Sequence, residues 1–197
     1  MNENYPQPSM PVGVQVGIVR GLYLFMSRGS KEQGPFVRLL GSGAILPEVV
    51  EAAEMLQAEW DVATEVWSAT SYSELARDAR ETERRNRLNP LEEPVVSHLS
   101  ACLSGSAPIV AASDYVRAYP QMIAAYVNAR FTALGTDGFG RSDTRQALRA
   151  FFEVDRCSIV IAALTSLAAD GAIARELAAS AVQRYRVDGS APPPWAI

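Results

Sequence analysis

The chain has 197 residues, 48% of them hydrophobic, enough to bury a core in one domain with an appended segment. A net charge of −4 argues against a dedicated nucleic-acid binder, and no apolar run reaches the roughly 20 residues needed to span a bilayer. Two cysteines and a single histidine exclude a multi-ligand zinc site within one chain.

Residues 1–13 hold three prolines and little periodicity, so they read as an extended lead-in or interdomain linker, and the first of them do not resemble a secretory signal. Val14–Met26 reads as a short helix, followed by a polar loop to Pro35. Phe36–Leu40 is a predicted strand that ends in Gly41-Ser42-Gly43. Pro47 suits the first turn of the next helix, whose apolar stripe runs through Val49, Val50, Ala53, Leu56 and Trp60. Val62–Ala69 is rich in β-branched and aromatic residues and predicts a second strand.

Ser73–Asn89 alternates arginines with acids at helical spacing, Glu74 with Asp78 and Arg77 with Glu81, and reads as a solvated or interface helix rather than a phosphate clamp. Val95–Leu103 is a short predicted helix, Ile109–Ala112 a strand, and Asp114 a candidate cap for a helix through Met122–Tyr126, kinked or restarted at Pro120. Phe131–Leu134 is the next strand. Helices are expected over Thr144–Phe151, Asp155–Asp170 and Ile173–Tyr185, before an extended tail, 191–197, whose Trp195 rests on a neighbour. Short apolar strands alternating with helices imply an α/β domain over 14–190: a three-layer sandwich, a mixed, mostly parallel sheet of about five strands with helices on both faces.

Little of this carries chemistry. Gly41-Ser42-Gly43 lies between a strand and a helix, but Leu46 stands where a dinucleotide fingerprint needs a third small residue, and Glu65 falls inside a strand, so a tight structural turn is preferred. Lys31, the only lysine, is in no phosphate loop. His98 has no nucleophile elbow beside it and reads as a surface or half-buried helix residue. Cys102 and Cys157, in helical apolar contexts, read as reduced thiols of a cytoplasmic protein. Glu92-Glu93 stands in an exposed turn. The most distinctive string is Gly135-Thr136-Asp137-Gly138-Phe139-Gly140-Arg141-Ser142-Asp143, a shaped loop at a strand's end. Arg141 there either binds an oxyanion or, the preferred reading, pairs with an acid across a domain contact, with Asp143 capping the next helix.

These strings, together with Met1–Tyr5, Leu39–Gly43, Trp67–Asp78, Asn89–Glu92, Ala112–Tyr115 and Phe152–Asp155, resemble in order the C-terminal region of the homodimeric thiamine-diphosphate-dependent decarboxylase component of pyruvate dehydrogenase. The resemblance implies a transketolase-type C-terminal domain that helps dimerise the enzyme and braces its catalytic domains. Thiamine diphosphate and Mg²⁺ would belong to the intact enzyme and not to this chain, which has no Gly-Asp-Gly and no Asn-Asn; its Asp-Gly pairs are Asp137-Gly138, Asp170-Gly171 and Asp188-Gly189. No catalytic, cofactor or metal residue is carried over. The partners implied are the amino-terminal and middle domains of the same enzyme, a second copy, and the dihydrolipoyl acetyltransferase, with neither nucleic acid nor membrane. Asp137, Phe139, Arg141, Ser142 and Asp143 are the expected interface residues. The rival reading is a regulatory domain that takes a nucleotide or acyl-CoA at the strand-end glycine loops, Gly41–Gly43 and Gly135–Gly140.

Overall fold

Side chains along Phe36–Gly41 are buried on both faces, as a strand inside a parallel sheet requires. In the computed structural model, which describes residues 9–196, this strand is β2. The others are β1 (Leu22–Arg28), β3 (Ala63–Ala69), β4 (Ile109–Ala112) and β5 (Phe131–Leu134). The sheet runs β1-β3-β2-β4-β5, with β3, β2, β4 and β5 parallel and β1 antiparallel on the edge. The mixed, mostly parallel five-stranded sheet expected from the sequence is therefore present. Residues 1–8 of the expected linker lie outside the described residues.

Strand alternation divides the core into two layers. Val37 and Leu39 of β2, Val66 of β3 and Val110 of β4 face α2 (Leu46–Trp60), α7 (Arg156–Ala169) and α8 (Arg175–Arg184). Leu40, Trp67, Ile109 and Ala111 face the other way, onto α3 (Tyr72–Leu88) and α4 (His98–Cys102). Leu39, Leu40 and Leu56 are wholly buried, and each contributes about 1.5–3 kcal/mol relative to exposure. Glu65, which the sequence placed inside a strand, sits directly opposite Arg38 in the β2–β3 register and accepts from its Nε at 3.0 Å and from Trp67 Nε1 at 3.2 Å. It is a half-buried cross-strand partner, not a ribose acceptor.

Three expectations are corrected. Val14–Met26 is not one helix: α1 (Gln15–Val19) stops after a turn and a half, and β1 follows. The carbonyl of Gly21 accepts the amides of Thr70 and Ser71, which draws the chain alongside β3, and the side chains that follow suit a strand. Asp114 caps no helix; α5 (Ala118–Gln121) begins after Arg117, and a separate 3-10 turn covers Ala124–Tyr126. The cap of α6 (Arg145–Phe151) is Thr144, whose hydroxyl accepts from the Ala147 amide, while Asp143 accepts only from the Thr144 amide. One residue of register decides that: a cap's oxygen must reach the amide three positions on.

The two halves of the α2 layer are joined by Glu48, in the first turn of α2. Its carboxylate is 5% exposed as a residue and accepts from Arg149 Nη1 at 2.7 Å, from Arg156 Nε at 2.9 Å and from the Arg156 amide at 3.1 Å. Burial alone would raise its pKa. The hydrogen bonds and charge of Arg156, with the charge of Arg149, outweigh that and hold it below the ordinary carboxylate value.

Because the folded pKa is the lower one, Glu48's contribution to stability is complete above the unfolded carboxylate range and is lost as pH falls through the folded value. Glu48→Ala should lower unfolding free energy by about 2–3 kcal/mol at neutral pH, below the fully buried range because Arg156 meets water, and should flatten the acid limb of stability against pH. Urea titrations between about pH 3 and 7 check both.

Candidate functional site

The parallel strands all end at one edge of the sheet, and the loops that leave them gather there. In open α/β sheets this edge is where ligands and partners bind, at the point where successive connections run in opposite directions. Here the chain passes from β2 to β3 on one side and returns to β4 on the other, so the reversal lies between β2 and β4. It is tied shut. Ser42, after β2, donates its hydroxyl to Ser113 Oγ, after β4, at 2.8 Å, and Ser113 Oγ also accepts the Tyr115 amide. Both serines are buried.

Two clefts flank this tie. The larger, about 880 Å³, is bounded by Ser42–Ala44, Ser68–Ser73, Tyr23, Asp114, Tyr115 and Tyr119. The smaller, about 340 Å³, lies between Ala44–Ile45, the loop residues Thr136, Gly138 and Gly140, and the α6 side chains Arg145, Leu148 and Arg149. Asp114 borders both. Its carboxylate stands against Gly43, whose φ of +53° and missing Cβ make room for it: a Cβ there would lie 2.9 Å from Asp114 Oδ1.

The loop residues singled out in the sequence divide into two kinds. Asp137 is turned inward and accepts both the amide and Nε of Arg117. The Arg117 guanidinium lies 4.3 Å from the ring centroid of Trp195. Gly138 takes φ +112°, and a Cβ on it would come within 2.7 Å of the Pro194 carbonyl oxygen. Only glycine lets the tail lie there. The tail is thus not extended to its end; Pro194–Ala196 form a 3-10 turn seated on the loop, and Trp195 does rest on a neighbour, Arg117.

Phe139, Ser142 and Asp143 face solvent, Phe139 at 83% exposure. Arg141 pairs with no acid among the described residues and stacks on Phe151 at 4.1 Å instead. The structure therefore brings Asp137 into the frame of the loop and leaves Phe139, Ser142 and Asp143 at its surface. Sequence reasoning missed Glu48, Ser113 and the junction position of Asp114. Only Glu48 had a visible signal, an acid just after a proline at a helix start.

The remaining candidates are held in structural pairs. His98 Nε2 contacts the Leu22 carbonyl at 2.8 Å, and its amide donates to Asp78. Cys102 and Cys157 are unbonded to each other and half-buried, and burial raises both thiols. Asp170 accepts from Arg130 Nε at 2.7 Å, and Asp188 accepts from the Ser190 amide and hydroxyl. With Asp137 engaged by Arg117, each Asp-Gly aspartate is already bound within the chain, and no group of three or more His, Cys, Asp or Glu suited to a metal occurs among the described residues. This donor set does not fit a magnesium-bound diphosphate. No helix of the described residues is long and apolar enough to cross a membrane.

A family model described as the transketolase-like TK C-terminal domain matches residues 21–155. Over 198 aligned residues the chain is 46% identical to the pyruvate dehydrogenase E1 component of Cupriavidus necator, covering 100% of this chain and 22% of that protein. The E1 component of Pseudomonas aeruginosa is 46% identical over 190 residues, covering 95% of this chain and 21% of its own length. A solved transketolase from Leishmania mexicana aligns with 94% of this chain and 21% of its own, at 22% identity and a TM-score of 0.48. The chain spans about a fifth of the length of the curated relatives it matches.

The seat of the tail on the loop is testable. Trp195→Ala removes the ring stacked on Arg117, leaves its pair with Asp137, and should lower global stability by no more than about 1 kcal/mol. Amide exchange should quicken across residues 135–143 and stay unchanged in β2 and β3; equal exchange across the loop in both proteins would contradict the arrangement.

Proposed function

This chain belongs to the transketolase-like TK C-terminal domain family, and on that premise we propose that it is the C-terminal scaffold module of a pyruvate dehydrogenase E1 component. The observation that carries the reading is sequence identity of 46% running the whole length of the chain to proteins so named. On this reading the intact cytoplasmic enzyme decarboxylates pyruvate with thiamine diphosphate and Mg²⁺ and passes the acetyl group to a lipoyl arm of the dihydrolipoyl acetyltransferase. The module contributes no reacting group.

What it contributes is a rigid surface. The buried sheet, the Glu48 clamp and the tail seated on Gly138 hold the 136–143 loop in one shape, and the loop presents Phe139 outward. Tyr115 and Tyr119, exposed on the same edge with ring centroids 5.3 Å apart, extend the apolar rim. A large exposed aromatic on a braced loop suits a contact with the amino-terminal and middle domains or with a second copy. The rival reading as a nucleotide or acyl-CoA domain finds no counter-charge in the larger cleft, whose lining has neither lysine nor arginine; the smaller cleft has arginines, but Arg149 is held by Glu48 and Arg141 is stacked on Phe151.

A chimera tests the scaffold reading. The region of the Cupriavidus necator E1 component that aligns with this chain is replaced by it. The chimera should dimerise and turn over pyruvate, whereas the 197-residue chain alone with thiamine diphosphate and Mg²⁺ should release no carbon dioxide. Phe139→Asp in the chimera should weaken assembly by about tenfold or more, equivalent to about 1.4 kcal/mol, with kcat per assembled enzyme unchanged. Turnover by the isolated chain, or undisturbed assembly of the Phe139→Asp chimera, would defeat the reading.

A further inference from the structure

The smaller cleft carries two opposite charges that do not meet. Asp114 and Arg141 both line it, and both side chains are exposed. The Asp114 carboxylate accepts from no described donor, and Arg141 pairs with no acid among the described residues. The stack on Phe151 engages only the flat face of the Arg141 guanidinium. It fixes the plane and leaves the in-plane N–H donors for a planar acceptor with two oxygens. The other two arginines of the lining are engaged. Arg149 donates to Glu48 and to the Ala44 carbonyl, and Arg145 has a partner within the chain.

The rest of the cleft is largely apolar. Ile45, Leu148, Phe152 and Val154 line it, and Gly138 and Gly140 add backbone with no side chain to fill the space. Its walls are tied together, because the Thr136 hydroxyl donates to the Asp114 carbonyl at 2.8 Å and so joins the glycine loop to the Asp114 turn. A recess fixed in this way costs a ligand little reorganisation. Its volume of about 340 Å³ is near the lower end of the range for small-molecule sites, about 300–1,000 Å³. One unpaired cation beside one carboxylate cannot balance a diphosphate. It matches a ligand that carries one charge of each sign.

We propose that this cleft binds a free amino acid with an apolar side chain, its carboxylate on Arg141, its ammonium donating to Asp114 and its side chain against Ile45, Leu148 and Phe152. The site is a property of the folded chain and does not depend on whether the chain braces an enzyme.

Amide NMR titrations of the 197-residue chain test the site with leucine as the probe. Leucinamide lacks the carboxylate, N-acetylleucine lacks the ammonium, and glycine lacks the side chain. Leucine should give saturable shifts centred on residues 114 and 138–141, and should bind about tenfold or more tightly than each of the three. Arg141→Gln should weaken leucine about tenfold or more and remove its advantage over leucinamide. Asp114→Asn should instead remove the advantage over N-acetylleucine, a division of effects that a merely structural role for either residue would not produce. Both positions are exposed, so the melting temperature should hold in each variant. Shifts that rise linearly to about 50 mM, derivatives that bind as well as leucine, or a variant that keeps the preference it should lose would overturn the proposal.

Discussion

The Glu48 carboxylate is the contact on which the arrangement of this domain turns. It lies in the first turn of α2, and its partners, Arg149 and Arg156, arrive 101 and 108 residues later on α6 and α7. Arg149 also donates to the Ala44 carbonyl at 3.0 Å, so the start of α2 and the length of α6 are locked as one body. The glycine loop runs directly into α6, and its position over the sheet edge is set by that lock. Removing the acid would leave two guanidinium groups facing each other at a part-buried site, a costlier outcome than losing an exposed ion pair.

The same edge combines rigidity with openness. At the reversal between β2 and β4, where many open α/β sheets hold a ligand, the Ser42–Ser113 hydrogen bond occupies the gap, and space remains only to either side. On one side the tail, through Pro194 and Trp195, presses on Gly138 and Arg117 and stiffens the loop that carries Phe139. On the other, the larger cleft has no cation in its lining. A braced apolar contact and an open recess thus share one face, separated by Asp114.

Much of the fold was legible because it follows from local chemistry. Four of the five strands were visible as short β-branched or apolar runs between turn residues, and α2, α3 and α7 from their stripes and charge pattern. The strand β1 was not, because Leu22–Met26 reads equally as the end of a helix; its pairing with β3 depends on the Gly21 carbonyl meeting Thr70 and Ser71 about fifty positions on. The sequence pointed to Asp143 as the cap of α6, and only the geometry of the Ala147 amide moved that role to Thr144.

Sequence alone determined the α/β class, the family resemblance and the absence of a Gly-Asp-Gly or Asn-Asn string, since these lie in residue types and short-range order. Tertiary structure decided which polar groups meet: that Arg141 stacks on Phe151 rather than pairing with an acid, that Glu65 answers Arg38, and that Asp114 and Arg141 line one cleft. The reason is physical. A side chain's propensity is set by its neighbours in sequence, whereas its hydrogen-bond partner is set by whichever groups the packed sheet brings within about 3 Å.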